Sequence, residues 1–123
     1  MDILKSKAQA FLQAVSSNNI REGYDLYVGE NFKHHNVYYK GDAESLKTAM
    51  EESDKIFPNK KFEIKQMIRE GNFVVAHSCA KLNPDEPGYA LIHIFRFENE
   101  MIVELWDLGQ QIPSVLVNEN GPF

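Results

Sequence analysis

Two carboxylates and four histidines are the residues of this chain whose types and spacing invite chemistry. Glu104 and Asp107 lie in "IVELWDL", residues 102–108, inside a run of Ile, Val and Leu and flanking Trp106. An ionised carboxylate held away from water is costly unless something pairs with it. Either the two carboxylates face solvent, or a pocket uses them. A carboxylate against an indole and aliphatic side chains loses hydration and becomes a stronger base, suited to removing a proton from carbon beside a carbonyl. Preorganised imidazoles would then hold the resulting oxyanion in a dry site. On this reading Asp107 is the base, and His35 and His93 stabilise the enolate oxygen. Trp106 forms the wall, and Glu104 orients Arg96 or a pocket histidine.

The remaining candidates are less directed. His77 stands between Ala76 and Ser78, too apolar a setting for a solvated imidazole, so a core or pocket-wall position is expected as readily as a catalytic one. His34 and His35 are adjacent, and neighbours on a strand point to opposite faces. Both line one pocket only if the strand is irregular. Phe32, Tyr38, Tyr39, Tyr89, Phe95 and Trp106 offer aromatic surface for an apolar, ring-bearing ligand, and Tyr24 is a further pocket candidate, although core packing accounts at least as well for any one of them. His35, His77, His93 and Glu104 fall on separate segments without short ligand spacing, so no metal is expected, and no cofactor. The single cysteine, Cys79, excludes an internal disulfide and reads as a small buried hydrophobe.

The elements that must position these groups are legible from periodicity. Ile3, Leu4, Ala8, Phe11, Leu12 and Val15 recur at helical spacing, and "SSNN" ends that helix. "IREGYDLYV" offers a shorter second helix. "NFKHHNVYY" reads as a short strand. Asp42 is a good N-cap for a third helix with Ala43, Leu46, Ala49 and Met50 inward. The period then changes to two. "KFEIKQMIRE" puts Phe62, Ile64, Gln66 and Ile68 on one side. Turn signals at Gly71-Asn72 and around Asn99-Glu100 make hairpins with "FVVAHSCAKL" and between "YALIHIFRF" and "MIVELWDLGQQI". The register of the second hairpin matters most. A two-residue turn sets His93 opposite Trp106, whereas one bulged residue sets it opposite Asp107.

Helices followed by long antiparallel strands indicate α+β, with a curved sheet wrapping a pocket closed by three N-terminal helices. At 123 residues the chain is expected to be one domain, 1–123. A net charge of −5 with scattered Lys and Arg argues against nucleic acid. No apolar run approaches the roughly 18 residues of a membrane span, and the N-terminus lacks a signal-peptide pattern. A cytoplasmic protein without membrane partners is the expectation.

"FKHHNVYYKG", "VVAHSCAKLNPDEPGYALIHIFRFENEMIVELWDLGQ" and the closing "NENGPF" resemble the SnoaL-like polyketide cyclase family of the nuclear transport factor 2-like superfamily. The resemblance runs from about Phe11 to Phe123 and is sharpest at His35-Asn36, His77-Ser78, "IFRF" and Glu104-x-Trp106-Asp107. It implies a cone-shaped, cystatin-like α+β fold with a pocket at its wide end, commonly a homodimer. It also implies that Asp107 occupies the position of the general base of characterised cyclases, and of the water-activating Asp of the similar limonene epoxide hydrolases. His35 and Asn36 match the His-Asn motif, with Val37 in place of the usual Pro. His93 stands where the family often has Asp, and Leu105 where it has His, so the acid–base pairing is rearranged.

Three functions are compatible with these residues. The first is a cofactor-independent enzyme acting on a small apolar carbonyl compound, by aldol-type cyclisation or isomerisation, with water activation as its variant. The second is a binder that uses the same pocket without turnover. The third is an interaction module, which would expose a large apolar sheet face.

Overall fold

Asp2 starts the first helix: its carboxylate accepts the backbone N–H groups of Leu4 and Lys5 at 3.0 and 3.2 Å. The computed structural model describes residues 2–123. Helix α1, Ile3–Val15, buries Leu4, Ala8, Phe11 and Leu12. Helix α2, Ile20–Tyr27, buries Ile20, Gly23 and Tyr24. The two helices approach closely at Gly23, where a Cβ would meet the Cβ of Ala14 at 2.9 Å. Helix α3, Ala43–Ile56, is capped by Asp42, which accepts the Ser45 N–H at 3.2 Å. Among the described residues no helix is long and apolar enough to cross a membrane.

Five strands complete the chain: β1 Val28–His34, β2 Lys61–Glu70, β3 Phe73–Lys81, β4 Tyr89–Glu98 and β5 Met101–Gln111. Their order in the sheet is β1-β5-β4-β3-β2. The last four run antiparallel to their neighbours, as the hairpin signals require. Strand β1 pairs parallel with β5, a partner that local pattern does not announce. The helices cover one face of the sheet. Phe11 packs edge-on against Tyr24 and Phe95 at centroid distances of 5.2 and 6.0 Å. Each such fully buried aromatic contributes about 1.5–3 kcal/mol.

Three details depart from the periodicity. The strand expected over residues 31–39 instead spans Val28–His34, and the chain leaves the sheet at His35. Its last ladder contact there is the His35 N–H donating to the Leu105 carbonyl at 2.9 Å. In β2, Ile64 pairs Ser78 but Gln66 pairs His77, so Lys65 is an extra residue. Inward side chains are therefore Phe62, Ile64 and then Met67, not Gln66 and Ile68; Ile68 is 59% exposed. In β5, Phe97 pairs Ile102 but Arg96 pairs Glu104, so Val103 is extra. The turn itself has two residues, Asn99 and Glu100, both left-handed with φ of 50° and 62°. A tight turn and a bulge thus coexist, and together they set His93 opposite Asp107.

Candidate functional site

The covered face of the sheet carries Val74, Ala76 and Ser78 of β3, all fully buried, beside His93 of β4 and Asp107 of β5. Ala76, His93 and Asp107 form one row across three strands. Directly opposed residues in such a ladder have Cβ atoms about 4.5–5.5 Å apart, so the imidazole and carboxylate share one space. Asp107 Oδ2 accepts a hydrogen bond from Asn36 Nδ2 at 3.0 Å. Asp107 Oδ1, His93 Nδ1 and Ser78 Oγ are buried and have no hydrogen-bond partner among the described residues. Nearly all buried polar atoms in native proteins are paired, so three orphans on one face mark a place where a ligand's polar groups belong.

A chain of hydrogen bonds fixes the donor that holds Asp107. The Asn36 N–H donates to His34 Nδ1 at 3.1 Å, and the other ring nitrogen, Nε2, lies 2.7 Å from the Lys40 carbonyl. Because Nδ1 accepts, the proton sits on Nε2 and donates to Lys40. His34 is thus a buried clasp for the loop after β1, not a pocket wall. The Asn36 Oδ1 accepts the Tyr38 N–H at 3.0 Å, which orients the amide so that Nδ2 faces Asp107.

The carboxylate opens into a cavity of about 160 Å³ lined by Asn36, Val37, Tyr38, Leu91, His93 and Asp107. Gly109 also lines it, and a Cβ there would stand 2.8 Å from Leu91 Cδ2. Leu91 and His93 also line an adjoining apolar recess of about 190 Å³, which includes Leu12, Val15, Met50 and Phe62. Burial holds the His93 imidazole below its usual pKa, against the opposing pull of the Asp107 charge, so the ring is neutral. Burial, aided by the Asp107 charge, raises the Tyr24 phenol. It stays protonated and reaches Met50 Sδ at 3.6 Å.

Several expected pocket residues lie elsewhere. Glu104 and Trp106 project from the opposite face of β5, because alternate residues of a strand point to opposite sides. There the His35 ring stacks on Trp106 at 4.9 Å and 10°, and its Nε2 meets Glu104 Oε2 at 2.6 Å. Arg96 Nε donates to Glu104 Oε1 at 2.9 Å, and Lys33 lies 3.7 Å from Oε2. Glu104 does orient Arg96 and a histidine, as expected, but away from Asp107. His77 is on that same outer face, 5.2 Å from the Phe123 ring. Phe95 is sealed in the core at 0% exposure. Tyr89 lines a separate surface recess with Pro87 and Gln111. Of the anticipated constellation, the structure unites Asp107, His93 and Asn36, seals Tyr24 in the core and removes His35. Ser78 was not singled out as a site residue, although the resemblance at His77-Ser78 and the alternation beside His77 both pointed to it. Among the described residues no three His, Cys, Asp or Glu side chains converge.

Helices on one face of a five-stranded curved sheet, with a pocket between them, define the nuclear transport factor 2-like, cystatin-like class. Similar structures include a candidate polyketide cyclase from Bacillus cereus ATCC 10987, 26% identical with a TM-score of 0.75, over 87% of this chain and 74% of that one. A candidate isomerase of the SnoaL-like family from Agrobacterium tumefaciens strain C58 is 16% identical with a TM-score of 0.73, covering 89% and 99%. An uncharacterised cystatin-fold protein from Novosphingobium aromaticivorans is 16% identical, TM-score 0.71, covering 88% and 98%. The chain belongs to the SnoaL-like domain family, whose model matches residues 8–105. Asp107 lies two positions past that match. No curated protein matches the sequence.

Proposed function

We propose that the chain is a cofactor-independent enzyme that removes a proton from carbon next to the carbonyl of a small apolar compound, leading to isomerisation or aldol-type ring closure. The observation that supports this most is the asymmetry of Asp107: Oδ2 is tied to Asn36, while Oδ1 is buried beside the cavity with no donor among the described residues. A carboxylate held by one oxygen and bare at the other is placed to accept a proton from a bound carbon acid. The neutral His93 supplies a polar ring nitrogen to the developing enolate oxygen, and Ser78 a hydroxyl on the adjoining strand. The apolar recess takes the body of the substrate and keeps water from the charge.

The test is deuterium incorporation at the α-carbon of small aryl and alicyclic ketones in D₂O, followed by NMR. Asp107→Asn preserves the volume and removes the base, and is expected to slow exchange by roughly 10² to 10⁴ with ligand affinity retained. Exchange unaffected by Asp107→Asn would leave the pocket as a binding site without this base.

We infer also that a second copy covers the outer face of the sheet. Ile68, Val75, Ile94 and Trp106 form one apolar row across four strands, with Phe73 beside it. Ile68, Phe73 and Leu108 are 59%, 42% and 60% exposed. An apolar patch of this extent marks an association surface, and a self-complementary pairing is the simplest closed one. Sedimentation should give a dimer for the wild type and a monomer for Ile94→Glu; a wild-type monomer at micromolar concentration removes the inference.

A further inference from the structure

Leu91 and His93 border both the cavity at Asp107 and the adjoining apolar recess. The ladder register shows where the boundary runs. Leu91 lies in the row Ser78–Leu91–Gly109, next along the covered face to the row Ala76–His93–Asp107. The cavity lies over β5, with Asp107 and Gly109 in its wall, and the recess over β2 and β3, with Phe62 and Ala80. Leu91, on β4 between them, stands on the division. Directly across the ladder from it, Ser78 Oγ is buried with no hydrogen-bond partner among the described residues. A ligand crossing from one chamber to the other passes that hydroxyl.

Gly109 decides which way Leu91 leans. A Cβ at position 109 would stand 2.8 Å from Leu91 Cδ2, well inside the usual carbon–carbon separation of about 3.5–4.0 Å. The backbone of Gly109 is not left-handed, so its conformation does not call for glycine; the space does. The missing methyl lets the isobutyl group lie against β5, away from the recess. Neighbours on the covered face are sealed, with Val74, Ala76 and Phe95 at 0% exposure, whereas Leu91 is half-buried with open volume on two sides. A side chain so placed can change rotamer without displacing close-packed neighbours. Volume argues that the chambers serve one ligand. Small-molecule sites begin at about 300 Å³. The cavity offers about 160 Å³ and the recess about 190 Å³, so neither is enough alone and the two together are.

We propose that Leu91 and Gly109 determine specificity: Leu91 is a movable partition between a chamber for the carbonyl and a chamber for the ligand's apolar body, and the lean that Gly109 permits sets how long that body can be. The occupant is an apolar carbonyl compound long enough to cross the partition. Its carbonyl lies at His93 and Asp107, and its far end lies among Leu12, Met50 and Phe62. Placing the carbonyl rests on the proton-abstraction reading; selection by length does not.

Calorimetric titration with methyl n-alkyl ketones of increasing chain length tests the proposal. Affinity for the wild type should rise by up to about fourfold per methylene, the value of a buried CH₂ group, until the recess is full, and then level off. Gly109→Ala pushes Leu91 toward β3 and should bring the levelling at a shorter chain, with about tenfold lost for the longest ketones the wild type holds. Leu91→Ala should move it to a longer chain. Gly109→Ala/Leu91→Ala should also level beyond Gly109→Ala alone, because the added methyl no longer meets the isobutyl group. A methyl that merely obstructs the carbonyl end would weaken every ketone alike. Levelling points unmoved in both single variants overturn the proposal. In the wild type, NOEs from the terminal methyl of a long ketone should reach Met50, and those from its chain the Leu91 methyls. A terminal methyl found at Val37 or Tyr38 instead puts the chain outside the partition and overturns it as well. Exchange in D₂O separates the two readings. Levelling points that move as described in a protein without α-proton exchange keep the partition and remove the catalysis; exchange that depends on Asp107, with levelling points unmoved, does the reverse.

Discussion

Replacing Asn36 by Leu removes the only hydrogen bond that the Asp107 carboxylate makes among the described residues, and its cost follows from the geometry. In the wild type Asp107 Oδ2 is held at 3.0 Å, while Oδ1 is already buried without a partner. After Asn36→Leu both carboxylate oxygens lack a protein donor. Leaving a buried acceptor unsatisfied costs about 1–3 kcal/mol, with charged groups toward the upper end. Asn36→Leu also deprives the Tyr38 N–H of its acceptor, an effect independent of Asp107. A double-mutant cycle isolates the pair: urea unfolding of the wild type, Asn36→Leu, Asp107→Ala and the double variant at neutral pH. The coupling energy is expected to be about 1–3 kcal/mol. For a chain of 123 residues this corresponds to about 4 °C of unfolding temperature per kcal/mol. If Asn36→Leu costs as much in the Asp107→Ala background as in the wild type, the asymmetric tethering of Asp107 is wrong, and with it the reason for regarding Oδ1 as the reactive oxygen.

Two pH dependences follow from the buried ionisable groups. Burial lowers the pKa of His93 from its ordinary 6.5, so below that pH the unfolded chain takes up a proton that the folded ring resists. Stability should therefore fall as pH drops below about 6.5, and His93→Phe should flatten that slope in pH-dependent thermal melts; an unchanged slope would contradict a neutral buried ring. Glu104 behaves oppositely in origin. Its hydrogen bond with His35, supported by Arg96 and opposed by burial, holds its pKa below the ordinary 4.5. The stability it contributes is present above that value and lost as pH falls through the lowered one. Glu104→Gln should thus be less stable than the wild type at neutral pH and converge with it in acid, as denaturant titrations at both pH values would reveal.

Local physics was legible in the sequence. The end of α1 before "SSNN", the Asp42 cap and the turns at Gly71-Asn72 and Asn99-Glu100 all depend on a few adjacent residues, and each is where the pattern places it. So was the α+β class, because the hydrophobic period changes once along the chain. What only the tertiary structure decided was the side of the sheet on which each candidate stands. Strand side chains alternate with period two, so one extra residue exchanges the faces. Lys65 does this in β2, replacing Gln66 and Ile68 by Met67. Val103 does it in β5, turning His93 toward Asp107 rather than Trp106. The same alternation put Ser78 inside and His77 outside. The early exit of β1 at His34 is a further such decision: it sends His35 to the outer face and brings Asn36 to Asp107. A bulge or a strand end is settled by which backbone groups find partners in the assembled sheet, and those partners are dozens of residues away in sequence. The residue types that do the chemistry could be read one by one, but their grouping into a site belongs to the assembled sheet.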